Sequence, residues 1–175
     1  MPTTTQPPPI KLKPLTTEML ADLQRMYEAS RKYFITFTSH PASTIQAVND
    51  YQQMLESDDR AIMAIWWQDE QLIGALDFRF HHPVENVVWL GALILQDQTP
   101  GEREEIATWS VNILEEWLRI ASPTIELRTA VPLNDAEWMR FWKKLGFKLS
   151  PEPLRNHIAG KNIRFGIFKK KITRE

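Results

Sequence analysis

Apolar positions along the chain recur with two different periods, and the change of period marks out the elements. Residues 10–15, Ile-Lys-Leu-Lys-Pro-Leu, alternate apolar and basic side chains and predict a first strand, which Pro14 confines to an edge or a strand end. Helical spacing follows in 16–34, where Thr16 or Thr17 is placed to cap and Met19, Leu20, Leu23, Met26 and Tyr27 share a face. A second helical segment over 40–57 puts Ile45, Val48, Tyr51, Met54 and Leu55 on one side, and Ser-Asp-Asp-Arg closes it. Three strands come next. Residues 61–67 form an apolar run suited to burial on both faces. Residues 72–80 alternate, with Leu76, Phe78 and Phe80 opposite Asp77 and Arg79. Residues 87–95 make the most apolar strand, which predicts the central position.

The second half alternates helix and strand. Thr99, Pro100 and Glu102 read as N-cap, N1 and N3 of a long helix whose buried stripe is Ile106, Trp109, Ile113, Leu114 and Trp117. A strand over 124–131 leads to a last helix with Asn134 as cap and Glu137 at N3. There Trp138, Phe141, Trp142 and Leu145 fall at i, i+3, i+4 and i+7, and Gly146 supplies the left-handed ending. Residues 157–172 read as a hairpin turning at Gly160-Lys161. The order β-α-α-β-β-β-α-β-α-β-β predicts a mixed sheet with helices on both faces, an α/β chain with its strands grouped in the middle.

Composition narrows the chemistry. With 175 residues, 43% hydrophobic and 25% charged, the chain suits one globular domain over 9–175, behind a Pro/Thr-rich mobile tail at 1–8. A net charge of −1 offers no long-range attraction to nucleic acid or to an anionic membrane. The absence of cysteine excludes disulfides, thiol catalysis and thiolate metal sites, and fits a cytoplasmic protein. No apolar run reaches membrane-spanning length, and the N-terminus lacks the pattern of a signal peptide. The adjacent His81 and His82 would point to opposite faces of a strand, so no metal site is expected there.

Three stretches carry a family likeness. Trp-Leu-Gly-Ala-Leu-Ile-Leu at 89–95 runs into a Gly-containing turn and a long helix. Ile-Glu-Leu-Arg-Thr-Ala-Val at 125–131 leads through Pro-Leu-Asn-Asp to a helix ending Lys-Lys-Leu-Gly-Phe. Ile-Arg-Phe-Gly-Ile-Phe-Lys-Lys-Lys-Ile suits a final strand. Over about residues 10–172 the chain resembles the GCN5-related N-acetyltransferase (GNAT) superfamily. The resemblance implies a GNAT-like mixed, mostly antiparallel sheet with splayed central strands. It also implies acetyl-CoA as co-substrate, no metal, and a primary amine of a small molecule or peptide as acceptor, and it leaves room for a homodimer. Backbone N–H groups at Leu93, Ile94 and Leu95 would hold the pantetheine and thioester, and the helix start after Gln98, Thr99, Pro100, Gly101, Glu102 and Arg103 would hold the pyrophosphate.

The chain departs from the family pattern in three places. Only Gly101 survives of the phosphate-loop glycines, and Glu102, Glu104 and Glu105 bring negative charge where the family binds an anion. The family's asparagine falls on Asp135 by count, or on Asn134 after a one-residue slip, where capping explains it equally well. Trp142 stands where the family often keeps a tyrosine, and an indole cannot donate a proton at neutral pH. Its helical stripe makes it a packing residue or a lining of the cofactor channel. Asp77 and Glu126 are the carboxylates considered for general base, although Asp77 reads equally as a salt-bridged strand residue. Tyr33 and Phe34, with Asp77, lie in segments that form an acceptor wall in the family; a hydrophobic link between helices explains the two aromatics as well. The alternative to an enzyme is a non-catalytic module of the same fold that uses this surface only to bind.

Overall fold

The computed structural model describes residues 6–158 and 161–174, with side chains outside 152–162. Residues 1–5 of the expected tail and Gly160 of the expected turn lie outside them. The elements are β1 (Ile10–Pro14), a single 3-10 turn (Thr17–Met19), α1 (Leu20–Glu28), α2 (Arg31–Thr38), α3 (Gln46–Glu56), β2 (Arg60–Trp67), β3 (Gln71–Arg79), β4 (Val87–Leu95), α4 (Arg103–Ala121), β5 (Glu126–Pro132), α5 (Ala136–Lys144), β6 (Lys148–Ile158) and β7 (Lys161–Lys171).

Seven strands form one sheet in the order β1-β2-β3-β4-β5-β7-β6, so the most apolar strand is the central one. All neighbours pair antiparallel except β4 and β5. One face carries the larger core, built from Ile65, Phe78, Leu90 and Leu127 against Ile106, Val111 and Leu114 of α4 and Phe141 and Trp142 of α5. The other carries Ile62, Ala64, Ala75 and Ile94 against Leu23, Met26, Tyr27, Phe34 and Ala47 of α1–α3.

Two bulges decide which residues reach which face. On β3, Ile65 pairs with Gly74 and Trp66 with Leu72, leaving Ile73 extra. On β4, Asp77 pairs with Ala92 and Phe78 with Leu90, leaving Gly91 extra. An inserted residue shifts the two-residue alternation by one. Val88 and Leu90 before Gly91, and Leu93 and Leu95 after it, therefore all reach the same core.

Several sequence expectations are corrected, among them the start of the last hairpin, whose first strand β6 begins at Lys148 and not at 157. The segment 16–34 is not one helix. It breaks at Ala29–Ser30, because the Asp97 N–H donates to Ala29 O (2.7 Å) and the Asp97 carboxylate accepts from the Lys32 N–H (3.2 Å) at the start of α2. Helix α3 docks through Ala47, Tyr51 and Met54, while Ile45 and Leu55 stand 56% and 64% exposed. Polar anchors set that rotation: Gln24 Oε1 accepts from the Ala47 N–H, and the Tyr27 hydroxyl donates to Asp50 (2.8 Å). The capping box at Thr99 does not form. Helix α4 starts at Arg103 with Glu102 as an N-cap that makes no side-chain bond, and the Thr99 hydroxyl donates to Gly101 O. Gly101 lies against Trp67, where a Cβ would come within 2.9 Å of the indole, so the turn at 97–101 passes too close to Trp67 for a side chain. The α4 stripe is centred on Ile106, Ser110, Val111, Leu114 and Leu118, which leaves Trp109 and Ile113 at its margin and Trp117 exposed.

Helix α5 ends as expected. Gly146 has φ +91°, its N–H donates to Lys143 O, and the Phe147 N–H donates to Trp142 O, the paired bonds of a Schellman ending. Its cap is Asp135, whose carboxylate accepts from the Trp138 N–H (2.9 Å); Asn134 is exposed and does not cap.

Gly74 is the tightest backbone position. A Cβ there would lie 2.5 Å from Ile94 O and 2.7 Å from a Leu95 methyl. Gly74→Ala is expected to lower unfolding free energy by about 1–3 kcal/mol in urea denaturation, as overpacking does in a closed core.

Candidate functional site

Strands β4 and β5 are in register for four rungs only, Val87 with Glu126 through Leu90 with Thr129. Beyond them β4 continues to Leu95 on β3, through Ala92, Leu93, Ile94 and Leu95 opposite Asp77, Leu76, Ala75 and Gly74. Strand β5 continues to Pro132 on β7. The two strands part, and the edges they turn toward each other have no strand partner. The Thr129 hydroxyl donates to Leu90 O (3.0 Å) and closes the last shared rung. Leu93, Ile94 and Leu95 direct their side chains into the two cores, so only their backbone faces the opening.

Next to the parting strands, on the α1–α3 side of the sheet, is a cleft of about 390 Å³ lined by Tyr33, Asp77, His82, Trp89 and Gly91. Arg60 and Arg79 complete its polar wall. Asp77 is held by Arg60 through two hydrogen bonds, from Nε to Oδ1 (3.0 Å) and from Nη2 to Oδ2 (2.5 Å). The Arg60 side chain is 10% exposed and also faces Asp50 (3.6 Å). The hydrogen bonds to Asp77 raise the pKa of the guanidinium, which therefore stays charged. Burial, reinforced by the charges of Asp77 and Asp50, pushes the Tyr33 phenol well above its ordinary range. Tyr33 is therefore a standing hydroxyl donor at neutral pH. Phe34 is buried in the core against Tyr27 and Tyr33, at ring-centroid distances of 5.3 Å each, and does not line the cleft.

The other sequence-derived residues lie apart from the cleft. Glu126 sits three rungs before the strands separate and pairs with Arg128. Gln98, Thr99, Pro100, Gly101 and Glu102 form the turn between β4 and α4, and Arg103 bends back to donate to Gln96 O. The first N–H groups of α4 carry no side-chain cap, with Glu102, Glu104 and Glu105 around them and Lys144 of α5 bonded to Glu104 (3.2 Å). Trp142 is 1% exposed and packs edge-on against Trp138, Phe141 and Phe147. Its indole N–H finds no hydrogen-bond partner among the described residues. It is a core residue whose ring shows no free surface to a ligand.

Sequence reading missed Arg60, Trp89 and Thr129 as neighbours of the site; it placed Arg79 beside Asp77 on one strand face and read His82 as a surface hairpin residue. A further signal existed for Gly91, since glycine inside an apolar strand marks a bulge. Among the described residues no group of three or more acidic or histidine side chains is arranged to hold a metal, and no helix is long and apolar enough to cross a membrane.

No family model matches the chain in sequence, and no curated protein does. Solved structures match it throughout. An acetyl transferase from Salmonella typhimurium that modifies the N-terminal serine of a ribosomal subunit protein superposes with TM-score 0.81, 11% identity, and coverage of 95% of this chain and 97% of that one. Spermidine N-acetyltransferase from Vibrio cholerae, in complex with CoA and spermine, gives TM-score 0.76, 11% identity, and coverage of 94% and 96%. A GCN5-related N-acetyltransferase from Brucella melitensis gives 0.76, 16% identity, and coverage of 95% and 77%. The chain has the GNAT fold, with the mixed, mostly antiparallel sheet expected of it.

Two variants probe the site's framework in urea denaturation. Trp142→Ala is expected to cost about 3–5 kcal/mol, whereas Trp142→Phe, which also removes the unpaired N–H, is expected to cost under about 1.5 kcal/mol. Asp77→Asn strips the main partner from a guanidinium withdrawn from water and is expected to cost about 3 kcal/mol; no measurable loss would mean that the pair does not hold in solution.

Proposed function

We propose that this protein is an acetyl-CoA-dependent N-acetyltransferase acting on a primary amine of a small molecule or peptide. The observation that carries this reading is the parting of β4 and β5 beyond Leu90 and Thr129, directly beside a polar cleft. Unpartnered backbone edges there suit an extended chain of amides, and the uncapped start of α4 follows the same strand after the turn 96–102. The backbone thus fits the pantetheine arm. Fit at the pyrophosphate is partial, because three glutamates surround the α4 N–H groups and only Lys144 is paired with one of them.

Bound acetyl-CoA would supply an activated acyl carbon, and transfer forms one C–N bond to the acceptor amine and breaks the C–S bond, the thiol leaving with a proton. This chain's residues would do the rest. N–H groups past Gly91, where β4 has left β5, would polarise a carbonyl in the opening. His82 is the cleft side chain suited to take the proton from an ammonium, since Asp77 is committed to Arg60. Tyr33 contributes a hydroxyl that donates a hydrogen bond. Trp142 contributes packing and no proton.

A specific observation favours the second reading, a binding module without catalysis: the acidic ring at α4 and the absence of the family's tyrosine. Calorimetry with acetyl-CoA separates the two. Heat of binding together with acetylation of at least one amine in a broad panel is expected; no heat and no thermal shift at millimolar acetyl-CoA would sink the proposal, and binding without transfer would favour the module. Glu102→Gln and Glu105→Gln are each expected to tighten acetyl-CoA about two- to five-fold, the worth of ~0.3–1 kcal/mol for one charge at a helix start. His82→Ala is expected to lower kcat while leaving acetyl-CoA affinity unchanged.

A further inference from the structure

The strand registers line up one cross-strand row across six of the seven strands, from β2 to β6. Arg60 of β2 pairs with Arg79 of β3, Arg79 with Trp89 of β4, Trp89 with Arg128 of β5, Arg128 with Lys169 of β7, and Lys169 with Lys148 of β6. Directly paired residues share a face, so this row of cations and one tryptophan lies on the α1–α3 side. The core beneath α1–α3 takes no residue from β5, β6 or β7 among the described residues, which leaves the far half of the row outside it. Lys171, opposite Glu126, is on the same face one step along.

Like charges placed directly opposite on neighbouring strands destabilise a sheet. Arg128, Lys169 and Lys148 stand in such positions on three adjacent strands. Arg128 is relieved by Glu126 and Arg79 by Asp59 (3.3 Å). No carboxylate among the described residues pairs with Lys148, Lys169 or Lys171. The Lys148–Lys169 pair is left without a counter-charge among the described residues, and a bound polyanion would supply one. The row begins in the cleft, which Arg60, Arg79 and Trp89 line. At ~4.8 Å per strand it runs about 14 Å beyond Trp89, the reach of about four extended residues.

We propose that the acceptor is the N-terminal amine of an acidic peptide segment, which enters the cleft while its next four or so residues lie across β5, β7 and β6 on Arg128, Lys169 and Lys148. The choice of amine rests on the acetyltransferase reading; the charge preference of the surface does not. A small anionic amine would occupy only the cleft and leave the distal lysines idle. A nucleic acid fits less well, because the row offers a single aromatic ring, Trp89, on which a base could stack.

The test is fluorescence anisotropy with C-terminally labelled five-residue peptides, one with Asp and Glu at positions two to five and one with Ser and Gln there. The acidic peptide is expected to bind at least ten-fold tighter at low ionic strength, with the advantage shrinking as salt is raised. Lys148→Glu and Lys169→Glu are each expected to weaken it about three- to five-fold and the double variant at least ten-fold, with unchanged circular dichroism. Arg119→Glu on α4 makes the same net-charge change as either single variant and is expected to leave binding unaltered. Equal binding of the two peptides, or equal loss in Arg119→Glu, would overturn the proposal. So would displacement by free aspartate as effective as by unlabelled peptide, or by a single-stranded oligonucleotide at lower concentration than the peptide. Charge-dependent binding without acetylation would leave this surface standing and remove the transfer reading. Acetylation indifferent to peptide charge would do the reverse.

Discussion

Everything that makes this sheet a site depends on the four-rung limit of the β4–β5 pairing. A parallel pair that ran its full length would satisfy both strands' backbone groups and close the surface. Here each strand keeps its other partner, β3 on one side and β7 on the other, and the gap opens between them. The bulge at Gly91 falls on the residue after the last rung, so the bend begins where pairing stops. The same extra residue returns Leu93 and Leu95 to the large core. Strand separation and core continuity are thus two results of one irregularity.

Charge is distributed around this opening in opposed patches. Glutamates gather at the start of α4, and lysines and arginines gather on the face of β5, β7 and β6. Arg60, between Asp77 and Asp50, ties the cleft to α3, while Tyr27 donates to the same Asp50 from α1. A net charge of −1 says nothing of such an arrangement, because whole-chain charge averages over faces that the fold keeps apart.

Features governed by neighbouring residues were legible. Gly146 ends α5 because its φ of +91° is costly for any residue with a Cβ, and the pattern before it is helical. The apolar run 87–95 is central because only a strand covered on both faces needs to be so apolar throughout. Caps were less legible. Thr99-Pro100-Gly101-Glu102 satisfies the helix-start pattern, yet this stretch passes close against Trp67, distant in sequence, and the helix begins only at Arg103. Asn134 lost the cap to Asp135 by one residue. Ile45, Val48 and Leu55 have helical spacing, yet bonds from Gln24 and Tyr27 turn α3 onto Ala47, Tyr51 and Met54.

The sequence by itself determined the strand order along the chain, the central strand, the ending of α5 and the absence of an acid at Trp142, because each follows from residue type and short-range spacing. Only the tertiary structure decided where β4 leaves β5, that Asp77 is held by Arg60, that His82 and Trp89 share a cleft, and that cations from Arg60 to Lys148 form one row. Those facts rest on strand register and on two single-residue bulges. A register couples residues tens of positions apart, and a one-residue shift exchanges the faces of a strand without altering the local pattern that encodes it.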